Sequence, residues 1–288
     1  MYTKNERLMS QLAQKKVLIA AHRGTCGGNL CQNTALTYKN ALLHGADMIE
    51  IDATMSTDGE FYAFHNGEEY YVLKETKDVR TMSSKELESY TLHNWLQQPS
   101  GLKLNRLTEI LDMFENQCLI NIDRSWFYWE EMIRLLTDRK KHDEILLKSA
   151  PEPELLQKLE DSGSDIMYMP ILKDVSQWET VKRYNINVAA AELLFASTDN
   201  PLVSPEMFAE FRELGIVPWV NAITLGEQER FRLSGEFDDN RAVREGFEAG
   251  WGGLVRMGFG IIQTDWPALL YGYLREGKTG ILPDSGNA

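Results

Sequence analysis

The alternation of short apolar runs with amphipathic stretches constrains the fold of this 288-residue chain more than any other feature. Each run is short enough to be a strand, and apolar residues recur at helical spacing in the stretch that follows it. The clearest helix is predicted over 107–114, where apolar residues stand at i, i+3, i+4 and i+7. The eight predicted strands are 17–21, 48–53, 119–122, 145–147, 166–169, 188–191, 216–220 and 260–263. Eight strand–helix pairs in one uninterrupted series favour a closed parallel (β/α)₈ barrel, the TIM barrel, over an open sheet.

The predicted barrel is a single domain over residues 1–288, with two longer segments between its elements. These segments, 66–105 and 222–240, are interpreted as insertions over the C-terminal face of the barrel. Barrels of this class often use about 250 residues for one domain, so the length does not require a second one. Neither insertion is long enough for a separate domain with its own core.

The charge of the chain limits its partners. Thirty basic residues against 43 acidic ones give a formal net charge of −13. A field of this sign repels nucleic acid and anionic lipid surfaces, so no nucleic-acid partner is expected. A small phosphate-bearing substrate remains compatible with this charge, provided that local cations or a metal ion offset it.

The N-terminal segment and the cysteines indicate the compartment. No run of about 20 apolar residues is present, so no transmembrane segment is predicted. Residues 1–16 are polar and mixed in charge, unlike a signal peptide. Three cysteines are too few for a disulfide scaffold, and Cys26 and Cys31 are interpreted as free thiols in a loop. A cytoplasmic protein is therefore expected.

Three acidic residues are predicted to meet at the C-terminal face, where the reacting groups of such barrels lie. Glu50 and Asp52 are two positions apart on the second strand, so both point into the lumen, and Asp123 ends the next barrel strand. Carboxylates this close raise each other's pKa unless a cation neutralises them. Any one of them alone would be read as a solvated or salt-bridged residue. Together, three oxygen donors predict one divalent cation, Mg²⁺ or Ca²⁺.

Two histidines stand at strand ends on either side of these acids. His22 follows the first strand, and His65 follows the extended run after the second. A pair of imidazoles can act as general base and general acid near pH 7. Arg23 adds a guanidinium whose fork matches phosphate oxygens. The other histidines, interpreted as surface or structural residues, are His44, His93 and His142.

The candidate residues belong to a series of short motifs. These are His22-Arg23-Gly24, Gln32-Asn33-Thr34, Gly45-Ala46-Asp47 with Glu50-x-Asp52, Thr57-Asp58-Gly59, His65 and Gln263-Thr264-Asp265-Trp266-Pro267. Together they resemble the glycerophosphodiester phosphodiesterase family from residue 17 to about residue 275, and the block 22–65 is the specific part. The resemblance implies a TIM barrel, a divalent metal ion and hydrolysis of glycerophosphodiesters to glycerol 3-phosphate and an alcohol. It makes His22 and His65 the acid–base pair. It also implies that Glu50 and Asp52 bind the metal and that Arg23 contacts phosphate.

Four positions depart from the pattern of the family. They are Gln32 in place of glutamate, Asn66 in place of aspartate, Asp123 in place of glutamate and Ser125 in place of lysine. The change at Ser125 removes a cation that the family usually places on this strand. Arg124 is predicted to point away from the site, because neighbouring residues of a strand face opposite sides.

Lys148 and Trp219 are the remaining candidate substrate contacts. Lys148 ends the strand next to Asp123 and is predicted to replace the missing lysine at bound phosphate. Trp219, with Asn221, ends the seventh barrel strand. A large aromatic residue there is interpreted either as a wall of the site that contacts substrate or as a packing residue.

Two other functions remain open. A shorter third acid combined with a lysine resembles sphingomyelinase D-type enzymes, which act on phospholipids. The 66–105 insertion would then face lipid, with Tyr70, Tyr71, Trp95 and Leu96. The absence of the usual lysine also allows a catalytically idle barrel that binds phosphorylated ligands.

Overall fold

The computed structural model describes residues 5–140, 143–226, 228 and 232–281. The strands within them are β1 Leu18–Ala21, β2 Met48–Met55, β3 Phe61–Ala63, β4 Leu119–Asp123, β5 Ile145–Ser149, β6 Met167–Leu172, β7 Ala190–Leu193, β8 Val217–Asn221 and β9 Ile261–Thr264. Eight of them pair in parallel in the order β1-β2-β4-β5-β6-β7-β8-β9, and β9 returns to pair with β1. The strand β3 pairs antiparallel with β2 outside this ring. The predicted closed (β/α)₈ barrel is confirmed.

Helices surround the barrel between its strands. In the described residues they are α1 Glu6–Lys15, α2 Ala35–Leu43, α3 Glu69–Val72, α4 Ser84–Ser89, α5 Leu107–Met113, α6 Trp129–Arg139, α7 Pro153–Asp161, α8 Val175–Val181, α9 Pro205–Leu214, α10 Asp239–Glu245, α11 Gly253–Met257 and α12 Pro267–Glu276. Short 3₁₀ turns lie at Val79–Thr81, Ser125–Tyr128 and Pro201–Val203. Local signals set the boundaries: α9 begins where the Ser204 side chain accepts a hydrogen bond from the Met207 N–H.

The lumen of the barrel has an apolar lower part and a polar upper part. At the N-terminal ends of the strands, Leu18, Met48, Leu119 and Ile261 pack together, and the buried Leu8 of α1 packs against them. Above them lie buried polar side chains, namely Glu50, Asn121, Lys148, Glu192, Asn221 and Gln263. Buried polar groups require partners that apolar side chains cannot provide. The candidate site therefore lies at the C-terminal end of the strands.

The 66–105 insertion forms a small apolar cluster beside the barrel. It contains α3 and α4, and its apolar side chains pack with Tyr62 of β3. Of the 222–240 insertion, residues 227 and 229–231 lie outside the described part of the chain, as does His142. Among the described helices, none has the length and apolar character that a membrane crossing requires.

A seam between the first and last strands closes the barrel. β1 pairs with β9 over four residues on each side. Beside this seam, Arg275 of α12 donates hydrogen bonds to the backbone oxygens of Lys15 at 3.0 Å and Val17 at 2.6 Å. The residues between α1 and β1 are thereby fastened to the last helix.

Candidate active site

The structure brings the three predicted acids together. Glu50 and Asp52 project from β2 into the lumen and are almost completely buried. The pairing register sets Asp52 beside Asp123 of β4. One oxygen of each carboxylate lies within 4.8 Å of the other two, a spacing that could hold a metal ion.

The surroundings of Glu50 fit a bound cation. Its Oε2 accepts a hydrogen bond from the Arg23 N–H at 2.8 Å, whereas its buried Oε1 has no hydrogen-bond partner in the described part of the chain. Burial and then the charge of Asp52 raise the pKa of Glu50 to about 8. A cation at Oε1 would satisfy this oxygen and stabilise the charged carboxylate.

Asn33 holds Asp52 in place from the loop after β1. Its Nδ2 donates to Asp52 Oδ2 at 2.8 Å, and its Oδ1 accepts from the Asp52 N–H at 3.1 Å and from the Tyr38 hydroxyl at 2.8 Å. The next residue, Thr34, caps α2 through the Thr37 N–H. The Gln-Asn-Thr motif therefore positions one acid and starts a helix. The role of Asn33 was not predicted from the sequence, although its motif stands out there.

Arg23 lies among the acids, directly after β1. Its Nε is 3.0 Å from Asp52 Oδ2. Its Nη1 is 3.2 Å from Gln32 Oε1 and 3.5 Å from Glu68 Oε1. The side chain is 16% exposed, so the guanidinium lies at the edge of the site rather than beneath it.

The two histidines lie in different electrostatic surroundings. His22 Nδ1 is 2.8 Å from Asp265 Oδ1. Burial acts to lower the pKa of His22, but the hydrogen bond with Asp265 and nearby negative charge outweigh it and raise the pKa above its usual 6.5. Burial is the main cause that lowers the pKa of His65 below its usual 6.5; the charge of Asp52 opposes it, and those of Arg23 and Arg124 act with it. The surroundings thus favour the protonated form of His22 and the neutral form of His65.

The model of the glycerophosphoryl diester phosphodiesterase family matches residues 22–217, which is more than half of the chain. The match contains both histidines and all three acids. This chain belongs to the glycerophosphoryl diester phosphodiesterase family. A second family model, described as a domain of unknown function, matches residues 168–274.

Curated relatives in this family match part of the chain. The glycerophosphodiester phosphodiesterase of Caldanaerobacter subterraneus subsp. tengcongensis is 29% identical over 118 residues, which are 38% of this chain and 45% of the relative. The Bacillus subtilis glycerophosphodiester phosphodiesterase is 28% identical over 112 residues, 36% of this chain and 38% of the relative. The matches thus span less than half the length of these relatives.

Solved structures of this family share the fold over nearly the whole chain. A glycerophosphoryl diester phosphodiesterase from Parabacteroides distasonis superimposes with a TM-score of 0.76 at 18% identity, covering 99% of this chain and 95% of that one. A phosphodiesterase from Oleispira antarctica, in complex with the product sn-glycerol-3-phosphate, gives a TM-score of 0.64 at 16% identity. It covers 90% of this chain and 96% of its own. At these identities the likeness shows the fold alone.

Lys148 is a buried cation beside Asp123 and Glu192. Its Nζ lies 2.8 Å from Asp123 Oδ2 and 3.2 Å from Glu192 Oε2. Burial acts to lower the pKa of Lys148, but these carboxylates outweigh it and raise the pKa well above its usual value. Glu192 Oε1 in turn accepts a hydrogen bond from Asn221 Nδ2 at 2.9 Å. Lys148 therefore points into the barrel, and its contact with phosphate stays a prediction.

Trp219 packs beneath the site. Its side chain is completely buried among the apolar lumen residues, and its indole N–H donates to Asn221 Oδ1 at 2.7 Å. A residue with no exposed surface cannot form a wall of an open site. The structure therefore corrects the expectation of a substrate contact and assigns Trp219 to packing.

Arg124 turns toward the site, contrary to the sequence prediction. It follows the last residue of β4 and has a left-handed φ of 58°, so strand alternation no longer determines its direction. Its Nη1 lies 3.1 Å from His65 Nε2, and its Nε donates to Asn66 Oδ1 at 2.8 Å. The sequence signal that could have indicated this is its position directly after the end of a predicted strand, where the functional residues of such barrels lie.

Two clefts lie beside Gln32, the residue that contacts Arg23 Nη1. One, of about 810 Å³, lies between the loop after β1 and the 66–105 insertion and includes Gln32 and Glu68 in its lining. Aromatic residues of the same lining are exposed, namely Tyr71, Trp95 and Trp266. The other cleft, of about 920 Å³, includes His22 and Arg23. Cys26 borders both clefts and, like Cys31, is a free thiol as predicted.

Proposed function

We propose that this protein is a phosphodiesterase that hydrolyses glycerophosphodiesters to glycerol 3-phosphate and an alcohol. The observation that carries the proposal is the meeting of three carboxylates and two histidines at one end of the barrel. Membership of the family supports the reaction class. The complex of the Oleispira antarctica neighbour with its product supports the substrate class.

We infer that Glu50, Asp52 and Asp123 hold one Mg²⁺ or Ca²⁺ ion. The donors are carboxylate oxygens, which both ions prefer. The unpartnered Oε1 of Glu50 supports this inference. When bound, the ion supplies positive charge that stabilises the phosphate oxygens in the transition state.

Residues of the chain itself move the protons in the proposed route. Neutral His65 accepts the proton of a substrate hydroxyl next to the phosphate, and that oxygen attacks phosphorus. Protonated His22, held at Nδ1 by Asp265, donates a proton to the leaving alkoxide, so the alcohol departs. Arg23 offers N–H groups to the phosphate oxygens. Water then opens the cyclic phosphate while the two histidines exchange roles, which restores both to their starting states.

The pH profile of kcat/KM should be bell-shaped. Activity requires neutral His65, whose pKa is lowered, and protonated His22, whose pKa is raised, so the two limbs lie on either side of 6.5. Asp265→Asn removes the carboxylate that raises the pKa of His22, and the alkaline limb should therefore move to lower pH. The acid limb, which belongs to His65, serves as the internal control. An alkaline limb that stays in place in the folded variant would contradict the assignment of His22.

A panel of soluble glycerophosphodiesters, assayed for released phosphomonoester with and without chelator, tests the activity and the metal together. Chelator should abolish release, and Mg²⁺ or Ca²⁺ should restore it. Glu50→Gln and Asp52→Asn should prevent restoration. Glu144→Gln is the matched control, because Glu144 is also a buried acid but pairs with Arg7 near the N-terminal ends of the strands.

The outcomes of this panel separate the candidate functions. Turnover that persists in chelator would contradict the metal site. Binding of glycerol 3-phosphate without turnover of any diester would support the idle barrel instead.

The cleft of about 810 Å³ favours a second candidate, a phosphodiesterase for diesters that carry an apolar acyl chain, as phospholipids do. Its exposed aromatic residues suit an apolar group next to the phosphate site. Including micellar lysophospholipids beside soluble diesters in the panel decides between the two. Faster turnover of the micellar substrates would favour the second candidate.

A further inference from the structure

Three cations lie near the acids, and they differ in their partners. Arg23 lies beside Asp52 and Glu68, and Lys148 lies between two carboxylates. The guanidinium of Arg124, by contrast, contacts the uncharged acceptors Asn66 Oδ1 and His65 Nε2. Among the described residues, no carboxylate pairs with it. Arg124 thus carries a positive charge that this part of the structure does not neutralise.

The position of this charge places it beside the proposed reaction centre. Nη1 of Arg124 is 3.1 Å from the ring nitrogen of His65. A guanidinium has five N–H groups, of which these two contacts use two. The side chain is partly exposed, so the remaining donors can reach a ligand in the mouth of the barrel. An uncompensated guanidinium in a chain of net charge −13 suits an anionic ligand.

The residue at position 66 explains why the charge of Arg124 remains available. An aspartate at position 66 would accept from Nε of Arg124 and form an ion pair with it. Asn66 keeps the hydrogen bond at 2.8 Å and orients the side chain without neutralising it.

We propose that Arg124 binds the phosphate group of the ligand and supplies the cation that Ser125 does not. The identification of this phosphate as part of a diester rests on the proposed function. When Arg124 turns its Nη1 donor to a phosphate oxygen, the lone pair of His65 Nε2 becomes free to accept a proton. Arg124 is therefore a substrate-binding residue whose engagement also releases the proposed base.

Calorimetric titration of the full-length protein in Mg²⁺ buffer with inorganic phosphate tests this directly. Arg124→Met should weaken phosphate affinity by about tenfold to a hundredfold, the scale of hydrogen bonds to a charged group. Arg124→Lys should restore part of the loss. Asn66→Asp, which leaves Arg124 in place but neutralises it, should weaken affinity several-fold.

Arg80→Met is the matched control. Arg80, like Arg124, lies over the Phe127 ring, at 5.2 Å against 5.7 Å, but Arg80 is paired with Asp78. Its removal should leave phosphate affinity unchanged. Wild-type affinity in a folded Arg124→Met variant, or an equal loss in Arg80→Met, would overturn the proposal.

Diester turnover, measured in parallel, tests the proposed phosphodiesterase activity separately from phosphate binding by Arg124. Loss of phosphate binding in Arg124→Met, in a protein whose wild type hydrolyses no diester, would uphold the phosphate site and refute the phosphodiesterase. If the wild-type protein hydrolyses diesters but Arg124→Met binds phosphate with unchanged affinity, the phosphodiesterase is upheld and the role of Arg124 at phosphate is refuted.

Discussion

Lys148→Met is expected to lower the free energy of unfolding by about 3–5 kcal/mol, the scale for removing one partner of a buried ion pair. Lys148 is only 2% exposed, and its Nζ lies between Asp123 and Glu192. Without it, two carboxylates remain in the lumen without their shared cation. Catalysis should fall as well, by about 2–4 kcal/mol in activation free energy, because more negative charge then faces the approaching phosphate.

Urea unfolding measures the first effect, and kcat/KM from released phosphomonoester measures the second. Lys148→Arg should restore only part of both, since a fork differs in geometry from a point charge. Lys182→Met is the matched control: Lys182 also contacts two acids, Glu179 and Glu210, but at the surface, where such pairs contribute about 1 kcal/mol or less. A Lys148→Met variant with wild-type stability and turnover would reduce Lys148 to an ordinary strand-end residue.

His22→Ala and His65→Ala should each lower kcat by about 10²–10⁴, the usual contribution of general acid–base catalysis. Both side chains lie above the apolar core, at strand ends, so the barrel should stay folded. Circular dichroism and kcat, measured on the same preparations, separate loss of function from loss of fold. Because the two residues act in one proton-transfer cycle, the factor by which kcat falls in the double variant should be much smaller than the product of the two single factors.

His44→Ala is the control for these variants. His44 follows α2 and lines the outer part of the 920 Å³ cleft, and it takes no part in the proposed route. Its kcat should remain near the wild-type value. A folded His22→Ala or His65→Ala variant with near-normal kcat would remove that histidine from the mechanism.

Much of the fold and the acid cluster could be predicted from spacing alone. Apolar runs recur with helical stretches between them, and eight such pairs leave few alternatives to a barrel. Glu50 and Asp52 share a strand face, and the C-terminal ends of the strands of a parallel barrel lie on one face of the barrel. The contact of Asp52 with Asp123 followed from these two rules and agrees with the observed register.

The sequence predictions were wrong or incomplete where the depth of a side chain in the lumen, or its direction, depends on how the barrel closes. Trp219 stands two residues before the end of β8, but the stagger of the strands pairs it with Ile261, the first residue of β9, and so places it low in the lumen. Arg124 lies one residue beyond β4, where a left-handed turn replaces strand alternation. The partnership of His22 with Asp265 requires the first and last strands to meet. The depth of Trp219, the direction of Arg124 and the contact of His22 with Asp265 could not be predicted from spacing along the sequence.

The seam between β1 and β9 prevents the barrel from closing until β9, its last strand in the described part of the chain, has been synthesised. Until residues 261–264 have left the ribosome, β1 lacks one of its two neighbours and exposes a row of unpaired backbone groups. His22 also lacks its partner Asp265 until then, because these two residues flank the same seam. An unfinished barrel is therefore both prone to aggregate and chemically incomplete.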